Sequence, residues 1–289
     1  MRLLTRAAPD GERLAVATDG GLVDVADLLG GGSWTMARLL ADVDASVAAI
    51  ARALARGDPT RTLAPAGAVW LPPVTRPGKI IAIGRNYHEH AAEEGETAPP
   101  DPVVFAKFPT SLVGHDADIA WRSADTDQVD YEAELAVVVG RMARDVPVSR
   151  ALDHVLGYTC LNDVSARDLQ FGDGQWVRGK SLDTFCPMGP WIVTADEVPD
   201  PGRLRIRCLV NGEVVQDAST SQMVHDVPSL VAFCSRFMTL EPGDVIATGT
   251  PGGVGVFRDP PRFLGHGDDV VVEIDGIGRL ANHCRVIGT

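Results

Sequence analysis

Two glutamates separated by one residue open an apolar segment near the middle of the chain. Glu132 and Glu134 stand in the run Asp-Tyr-Glu-Ala-Glu-Leu-Ala-Val-Val-Val-Gly that begins at Asp130. On a strand the two carboxylates share a face and lie about 7 Å apart. They repel unless a cation sits between them, and oxygen ligands select hard divalent ions such as Mg²⁺ or Ca²⁺. The pattern is consistent with a divalent-metal site, although Glu-x-Glu by itself more often marks the solvated face of an edge strand.

The second candidate is a histidine with a carboxylate one helical turn later. His90 and Glu93 lie in a predicted helix, 86–94, that directly follows a predicted strand, 79–84, and stops at Gly95. A carboxylate three residues along a helix can orient an imidazole and raise its basicity, as a general base requires. His88 should point in another direction, so a His-x-His zinc site is disfavoured. An exposed, charged helix face is the alternative interpretation.

A third carboxylate and a glycine-rich loop complete the candidate chemistry. Asp163 follows the apolar run 157–161 and could supply a third metal ligand; the alternative is an N-cap of a helical turn. Thr250 lies in the loop 248–255, which has neither the Gly-Lys-Ser/Thr ending of a P-loop nor Gly-x-Gly-x-x-Gly. Nucleotide binding is therefore unsupported. Close backbone approach to a small ligand, with Thr250 as a donor, and a plain tight turn both remain open.

Lysine usage adds a further signal. Only Lys79, Lys107 and Lys180 occur beside 23 arginines. Such a chain retains lysine either where a compact ammonium is required or through compositional bias alone.

Composition excludes several classes of protein. The 289 residues carry a net charge of −13, and residues 89–134 alone account for −10. A chain this acidic does not bind nucleic acid or an anionic membrane by charge. It begins without the apolar segment of a signal peptide and has no run of 18 apolar residues, so we expect no transmembrane helix. The five scattered cysteines contain no Cys-x-x-Cys pair and predict buried free thiols in a reducing cytoplasm.

The elements that must position these residues are mainly strands. Residues 1–70 predict a small unit, with strands over 13–18 and 21–25 and a helix over 34–56, followed by a Pro/Gly-rich linker, 63–78. Beyond the linker the pattern predicts a helix over 227–240 and a tight hairpin turn at Asn211-Gly212. A regular strand–helix alternation is missing, which disfavours a doubly wound parallel sheet. The predicted strands are 79–84, 102–108, 135–140, 191–194, 204–210, 244–247 and 269–274.

Five strings in order carry a resemblance to a known family. They are Ile-Gly-Arg-Asn-Tyr from Ile83, Asp-Tyr-Glu-Ala-Glu-Leu from Asp130, Asn-Asp-Val-Ser-Ala-Arg-Asp from Asn162, Gly-Lys-Ser-Leu-Asp-Thr-Phe-Cys-Pro-Met-Gly-Pro from Gly179, and Thr-Gly-Thr-Pro from Thr248. Residues 72–289 thereby resemble the fumarylacetoacetate hydrolase superfamily, in its domain-containing type. The resemblance implies a mixed β (α+β) fold, a β-roll or sandwich around a metal site over 71–289, with a small N-terminal α+β domain over 1–70.

The resemblance also implies a set of site residues and a homodimer. Mg²⁺ or Mn²⁺ would be held by Glu132, Glu134 and Asp163. The implied catalytic residues are His90, Glu93 and Lys180, and the implied substrate contacts are Arg85, Tyr87, Gln222 and Thr250. Three carboxylates and one divalent ion leave a net charge of −1 at the site, so binding of an anionic substrate would need Lys180 and Arg85 as extra cations.

The implied activity is hydrolysis of a carbon–carbon bond in acylpyruvates or other β-diketo acids. A metal-bound enolate would form on cleavage, and the His90–Glu93 dyad would activate water. A β-keto acid decarboxylase, as for oxaloacetate, and a 2-hydroxydienoate isomerase or keto–enol tautomerase use the same metal site and are the alternatives. A non-catalytic binding or scaffold protein is the alternative from another class.

Overall fold

Two large β-sheets dominate the architecture, which confirms the predicted mixed β fold with flanking helices. The computed structural model describes residues 1–56 and 68–288. An eleven-stranded sheet contains the order β3-β2-β1-β13-β11-β10-β16-β5-β6, with β4 beside β1 and β7 beside β13, in the described part of the chain. The strands of this sheet are β1 (Arg2–Ala8), β2 (Gly11–Thr18), β3 (Gly21–Asp24), β4 (Trp70–Leu71), β5 (Ile80–Gly84), β6 (Val103–Lys107), β7 (Leu112–Val113), β10 (Ala133–Val139), β11 (Val155–Asn162), β13 (Cys186–Thr194) and β16 (Val245–Ala247).

A five-stranded sheet in the order β15-β14-β17-β18-β8 packs beside the first, and a two-stranded ribbon joins β9 to β12. The predicted hairpin at Asn211-Gly212 is confirmed: both residues have positive φ, as a two-residue primed turn requires, and Val210 pairs with Glu213. The strands of these sheets are β8 (Asp118–Arg122), β9 (Val129–Asp130), β12 (Ser165–Ala166), β14 (Arg205–Val210), β15 (Glu213–Ser219), β17 (Asp269–Ile274) and β18 (Gly278–Ile287).

Short helices lie between the strands. None of those in the described ranges combines the length and the apolarity that crossing a membrane requires. All five cysteines are buried and free, as predicted. The helices are α1 (Val25–Leu28), α2 (Met36–Ala41), α3 (Val43–Ala55), α4 (His88–Glu93), α5 (Arg167–Asp173), α6 (Val177–Lys180) and α7 (Val227–Phe237).

Two predicted helices differ from the structure for local reasons. The single helix predicted over 34–56 is divided at Asp42, whose extended backbone ends α2 while its carboxylate accepts the amide of Ala45 and caps α3. The helix predicted to reach residue 240 ends at Phe237, because Leu240 instead exchanges two backbone hydrogen bonds with Ala143.

The N-terminal residues extend the large sheet. Strand β1, which was not predicted, pairs with β2 on one side and with the end of β13 on the other, through Arg2–Val193 and Leu3–Ile192. The boundary at residue 70 stays a prediction, and residues 57–67 of the predicted linker region lie outside the described residues.

Strand β10 lies in the middle of the sheet and is buried on both faces. It pairs with β11 on one side and with β16 on the other. Leu135, Val137 and Val139 pack into one apolar cluster, whereas Ala136 and Val138 pack into the other. The edge-strand interpretation of this segment is therefore wrong, and Glu134 is the second residue of a strand that has no solvated face.

The close packing of β11 against β13 gives a test of this architecture. A Cβ built on Gly157 in β11 would lie 2.1 Å from the carbonyl oxygen of Val193. We expect Gly157→Ala to lower the free energy of unfolding by about 2–4 kcal/mol, because the carbonyl oxygen of Val193 is a backbone atom and cannot move aside as the end of a flexible side chain can. Gly172→Ala, in α5 with open space around its Cβ, is the matched control and should be neutral or slightly stabilising. Urea unfolding of both variants measures the difference; equal stabilities would contradict the packing.

Candidate metal centre and active-site cleft

Three carboxylates meet where β10 begins and β11 ends. Antiparallel pairing sets Ala133 opposite Asn162, and the amide of Asp163 donates to the carbonyl of Glu132 at 2.9 Å. This register brings Glu132, Glu134 and Asp163 together, with potential ligand oxygens all within 4.8 Å of one another. All three side chains are buried. Asp163 is not an N-cap, because α5 begins after Ala166, so that alternative is wrong.

Three buried cations surround this triad. Lys180 at the end of α6 lies 2.8 Å from both Glu132 and Asp163. Lys107 at the end of β6 lies 2.6 Å from Asp163 and also donates to the carbonyl of Lys180. Arg167 pairs with Glu132 at 2.7 Å. The sequence predicted only Lys180 as a site residue, although the scarcity of lysine had already singled out Lys107.

A fourth carboxylate balances the guanidinium. Asp130 accepts Arg167 Nε at 2.9 Å and the amides of Gly255 and Val256 at 2.8 and 3.0 Å. Four buried carboxylates thus face three buried cations, which leaves one excess negative charge in their ionised forms. A divalent cation would turn that into one excess positive charge, because Lys107, Lys180 and Arg167 supply cations beyond the triad and the metal, whose net charge alone is −1.

The donor set fits a divalent cation. Three convergent carboxylate oxygens in a buried position are the ligands that Mg²⁺ and Mn²⁺ prefer. Burial, and then the charges of Asp163 and Glu132, raise the pKa of Glu134 well above its ordinary 4.5. The pKa of Glu132 falls to about 2, because Lys180 and Arg167 outweigh the opposing effect of burial. A cation between the carboxylates would relieve the repulsion that Glu134 experiences.

The glycine-rich loop closes over the triad from the end of β16. The amide of Gly249 donates to Glu134 Oε2 at 2.8 Å. Gly249 has a φ of +97°, and a Cβ there would lie 2.7 Å from Asn86 Cβ, so glycine is required. Thr250, next along the loop, accepts Gln216 Nε2 at 2.8 Å and lines the cleft. The loop therefore approaches the triad through its backbone.

Helix α4 places the predicted histidine over the same site. His90 is buried and His88 exposed, as expected from their spacing. His90 Nδ1 lies 3.4 Å from Glu93, and Nε2 lies 3.3 Å from Glu94, which the sequence did not predict as a site residue. Glu93 also accepts the amide of Gly253 at 2.7 Å. The exposed-face interpretation of this helix is wrong for His90, although it fits His88 and Glu89.

A narrow cleft lies between the histidine and Glu132 of the triad. Its lining includes Arg85, His90, Glu132, Lys180 and Thr250, with aromatic walls from Phe105 and Trp176.

Two other predicted substrate contacts lie in different settings. Tyr87 is buried, and its hydroxyl has no hydrogen-bond partner among the described residues; burial and then Glu134 raise its pKa. Gln222 is exposed and does not line this cleft, since its side chain accepts the amide of Ser219 in a capping box. The substrate roles of both residues remain predictions.

A mixed β fold that places a histidine and one carboxylate of a buried triad in the same cleft defines a class of metal-centred enzymes. Within that class the chain belongs to the fumarylacetoacetate hydrolase family: the model described as fumarylacetoacetate (FAA) hydrolase C-terminal matches residues 79–285. The superfamily resemblance is thereby confirmed, and the protein is an enzyme.

Three relatives illustrate the range of the family. A mitochondrial oxaloacetate tautomerase of Bos taurus is 42% identical over 98% of this chain and 91% of its own length. The fumarylacetoacetate hydrolase of Exiguobacterium antarcticum superposes with a TM-score of 0.85 at 37% identity, covering 99% of this chain and 100% of that one. A maleylpyruvate hydrolase of Sphingobium sp. SYK-6, solved with manganese(II) and pyruvate, has a TM-score of 0.83 at 35% identity and covers 100% of both chains.

The raised pKa of Glu134 predicts a coupling between protons and metal. In the metal-free protein the protonated carboxyl contributes stability that is complete below about pH 4.5 and is lost as pH rises through the raised pKa. A divalent cation takes the place of that proton, so we expect metal binding to release a proton and to tighten as pH rises. Calorimetric titration with Mn²⁺ in buffers of different ionisation enthalpy measures the release. Glu134→Gln should abolish the proton release and weaken binding; a wild-type titration without proton release would contradict the assignment.

Proposed function

We propose that the protein is a divalent-metal-dependent tautomerase that moves a proton at the carbon beside the 2-oxo group of a short 2-oxo acid. The observation that carries the proposal is that His90, Lys180 and Glu132 of the carboxylate triad line one narrow cleft. The oxaloacetate tautomerase that aligns with 98% of this chain supports the same chemistry. This revises the order of the two activities inferred from the sequence, where hydrolysis came first.

The charges around the carboxylate triad favour binding of an anion at the end of the cleft formed by Glu132 and Lys180. Glu132, Glu134 and Asp163 would hold the cation, which supplies Lewis-acid polarisation of the 2-oxo group when bound. Lys180 and Lys107 fix Asp163 through its two oxygens, at 2.8 and 2.6 Å. The single excess positive charge of the metal-loaded centre would attract the 1-carboxylate of the substrate, and Lys180 is the lysine among the described residues that line the cleft.

His90 is the group that moves the proton. Its imidazole takes a proton from C3 of the 2-oxo acid and returns it to the enol oxygen or to C3 in the reverse direction. Glu93, itself held by the amide of Gly253, orients the ring through Nδ1. Phe105 and Trp176 exclude water from one side of the reacting carbon.

Hydrolysis of an acylpyruvate is the second candidate. The specific observation that favours it is the His90–Glu93 pair, which is the arrangement needed to activate water. The two hydrolase structures that match nearly the whole chain support it as well. Formation of pyruvate and a carboxylic acid from acetylpyruvate would distinguish it from tautomerisation, which leaves the carbon skeleton intact.

The metal, assembly and location complete the proposal. We propose Mg²⁺ or Mn²⁺ as the cofactor, because both accept oxygen ligands; the relative solved with manganese supports the second. A homodimer in the cytoplasm stays a prediction, and the tautomerase relative is named as mitochondrial.

The proton-transfer role is tested by paired histidine variants. Exchange of the C3 protons of 2-oxobutanoate in D₂O, followed by NMR with Mg²⁺ or Mn²⁺, measures the reaction. We expect His90→Ala to slow exchange by about 10²–10⁴-fold, the usual loss of a general base. His88→Ala removes an exposed histidine from the same helix and should leave the rate within about twofold of wild type, as surface substitutions do. Unchanged exchange in His90→Ala would refute the role.

A further inference from the structure

The two nitrogens of the His90 ring each face a carboxylate. Nδ1 lies 3.4 Å from Glu93, and Nε2 lies 3.3 Å from Oε1 of Glu94. Glu93 is held by the amide of Gly253 at 2.7 Å and is sufficient to orient the ring. A neutral imidazole has one N–H, so it can donate to only one of the two carboxylates. The contact of Nε2 with Glu94 therefore becomes attractive when His90 takes up a second proton, and enolisation supplies such a proton.

Glu94 lies between this nitrogen and solvent. Its side chain is 15% exposed, whereas that of His90 is 6% exposed. The imidazole packs against Phe257, with 6.3 Å between the ring centroids, and Phe105 and Trp176 form walls of the cleft. A proton on Nε2 is thus largely screened from water, and the neighbouring carboxylate offers it a route outward.

Arg85 fixes the position of Glu94. Its Nε donates to Oε2 of Glu94 at 2.6 Å, which leaves Oε1 for the contact with His90. The Arg85 guanidinium also lies over the ring of Trp176, 5.8 Å from its centroid. The 3.3 Å separation is just beyond the reach of direct proton transfer, about 2.6–3.2 Å, and a small rotation of the Glu94 side chain closes it.

We propose that Glu94 is a proton-relay residue, which carries the proton of His90 Nε2 to solvent and returns a solvent proton to it. The inference rests on the proposed function, because it takes His90 as the base that removes the C3 proton. Glu93 and Glu94 then have different parts. Glu93 orients the ring through Nδ1, and Glu94 exchanges the transferred proton at Nε2.

The relay is balanced in protons and electrons. When Nε2 takes the C3 proton, the C–H electron pair enters the C2–C3 bond and the carbonyl pair moves to oxygen, so an enolate and an imidazolium form. The Nε2 proton then passes to Oε1 of Glu94, which leaves a neutral imidazole and a carboxylic acid. The acid gives that proton to water, and the reverse path delivers a solvent proton through Nε2 to C3. Without Glu94 the original proton returns to C3, and the substrate is regenerated without isotope exchange.

Removal of the relay carboxylate should slow the entry of solvent protons into the substrate. Exchange of the C3 protons of 2-oxobutanoate in D₂O, with Mg²⁺ or Mn²⁺, is followed by NMR. We expect Glu94→Ala and Glu94→Gln each to slow exchange by about 10²-fold, the lower limit of the usual range for loss of a proton-transfer group. Glu96→Gln removes an exposed acid two residues along and should stay within about twofold of wild type. Calorimetric Mn²⁺ affinity should be unchanged in both Glu94 variants, because the contacts of Glu94 are with Arg85 and His90.

Added formate separates a proton relay from a structural role. In Glu94→Ala the missing carboxylate leaves space beside Arg85, whose guanidinium attracts a small anion. Exchange should then rise in proportion to formate concentration, whereas Glu94→Gln, which fills the space, should stay slow. Wild type should gain nothing from formate. The double variant of His90→Ala with Glu94→Ala should gain nothing either, because the relay acts only through His90.

The failures of the two proposals can be told apart. Wild-type exchange rates in both Glu94 variants would overturn the relay alone. The relay is likewise overturned if formate fails to accelerate Glu94→Ala, or if formate accelerates the double variant and so acts on C3 directly. Absence of C3 exchange in wild type with either metal would overturn the proposed function and the relay with it.

Discussion

The balance of buried charge where β10 meets β11 is the constraint on which the site depends. Glu132, Glu134 and Asp163 are brought together by strand register, and like charges in a buried position cannot persist without partners. The partners arrive from separate parts of the chain: Lys107 from β6 and Lys180 from α6. Removing one partner of a buried ion pair typically lowers the free energy of unfolding by about 3–5 kcal/mol. The ion pairs around the metal centre therefore also hold β6 and α6 in place. The site and the fold around it are therefore one network.

The sequence predicted the carboxylate triad better than its surroundings. Strand alternation placed Glu132 and Glu134 on one face, and the family strings pointed to Asp163, because these features are local in the chain. Lys107 and Arg167 were not assigned, since their roles arise from contacts of β6 and α5 with Asp163 and Glu132 that no local pattern encodes. Glu94 was not predicted, because its contacts with Arg85 and His90 form only when the helix is folded over the cleft.

The same distinction applies to the secondary structure. The Asn211-Gly212 hairpin was predicted because two residues with positive φ are a local requirement. The break at Asp42 and the early end of α7 depend on competing hydrogen bonds, one to a cap and one to Ala143. Strand β1 was missed because its apolar alternation is short, and its pairing with β13 is a contact across nearly the whole chain.

That pairing has a consequence for how the protein can be divided. The β1–β2–β3 meander covers one edge of β13, and the next strand along, β11, leads directly into Asp163. Removing the first 56 residues would uncover backbone amides and carbonyls of β13, a template for strand addition by another chain. The N-terminal segment thus completes the large sheet beside β13. Exchanging this segment between relatives would require a replacement strand that pairs with β13 in the same register.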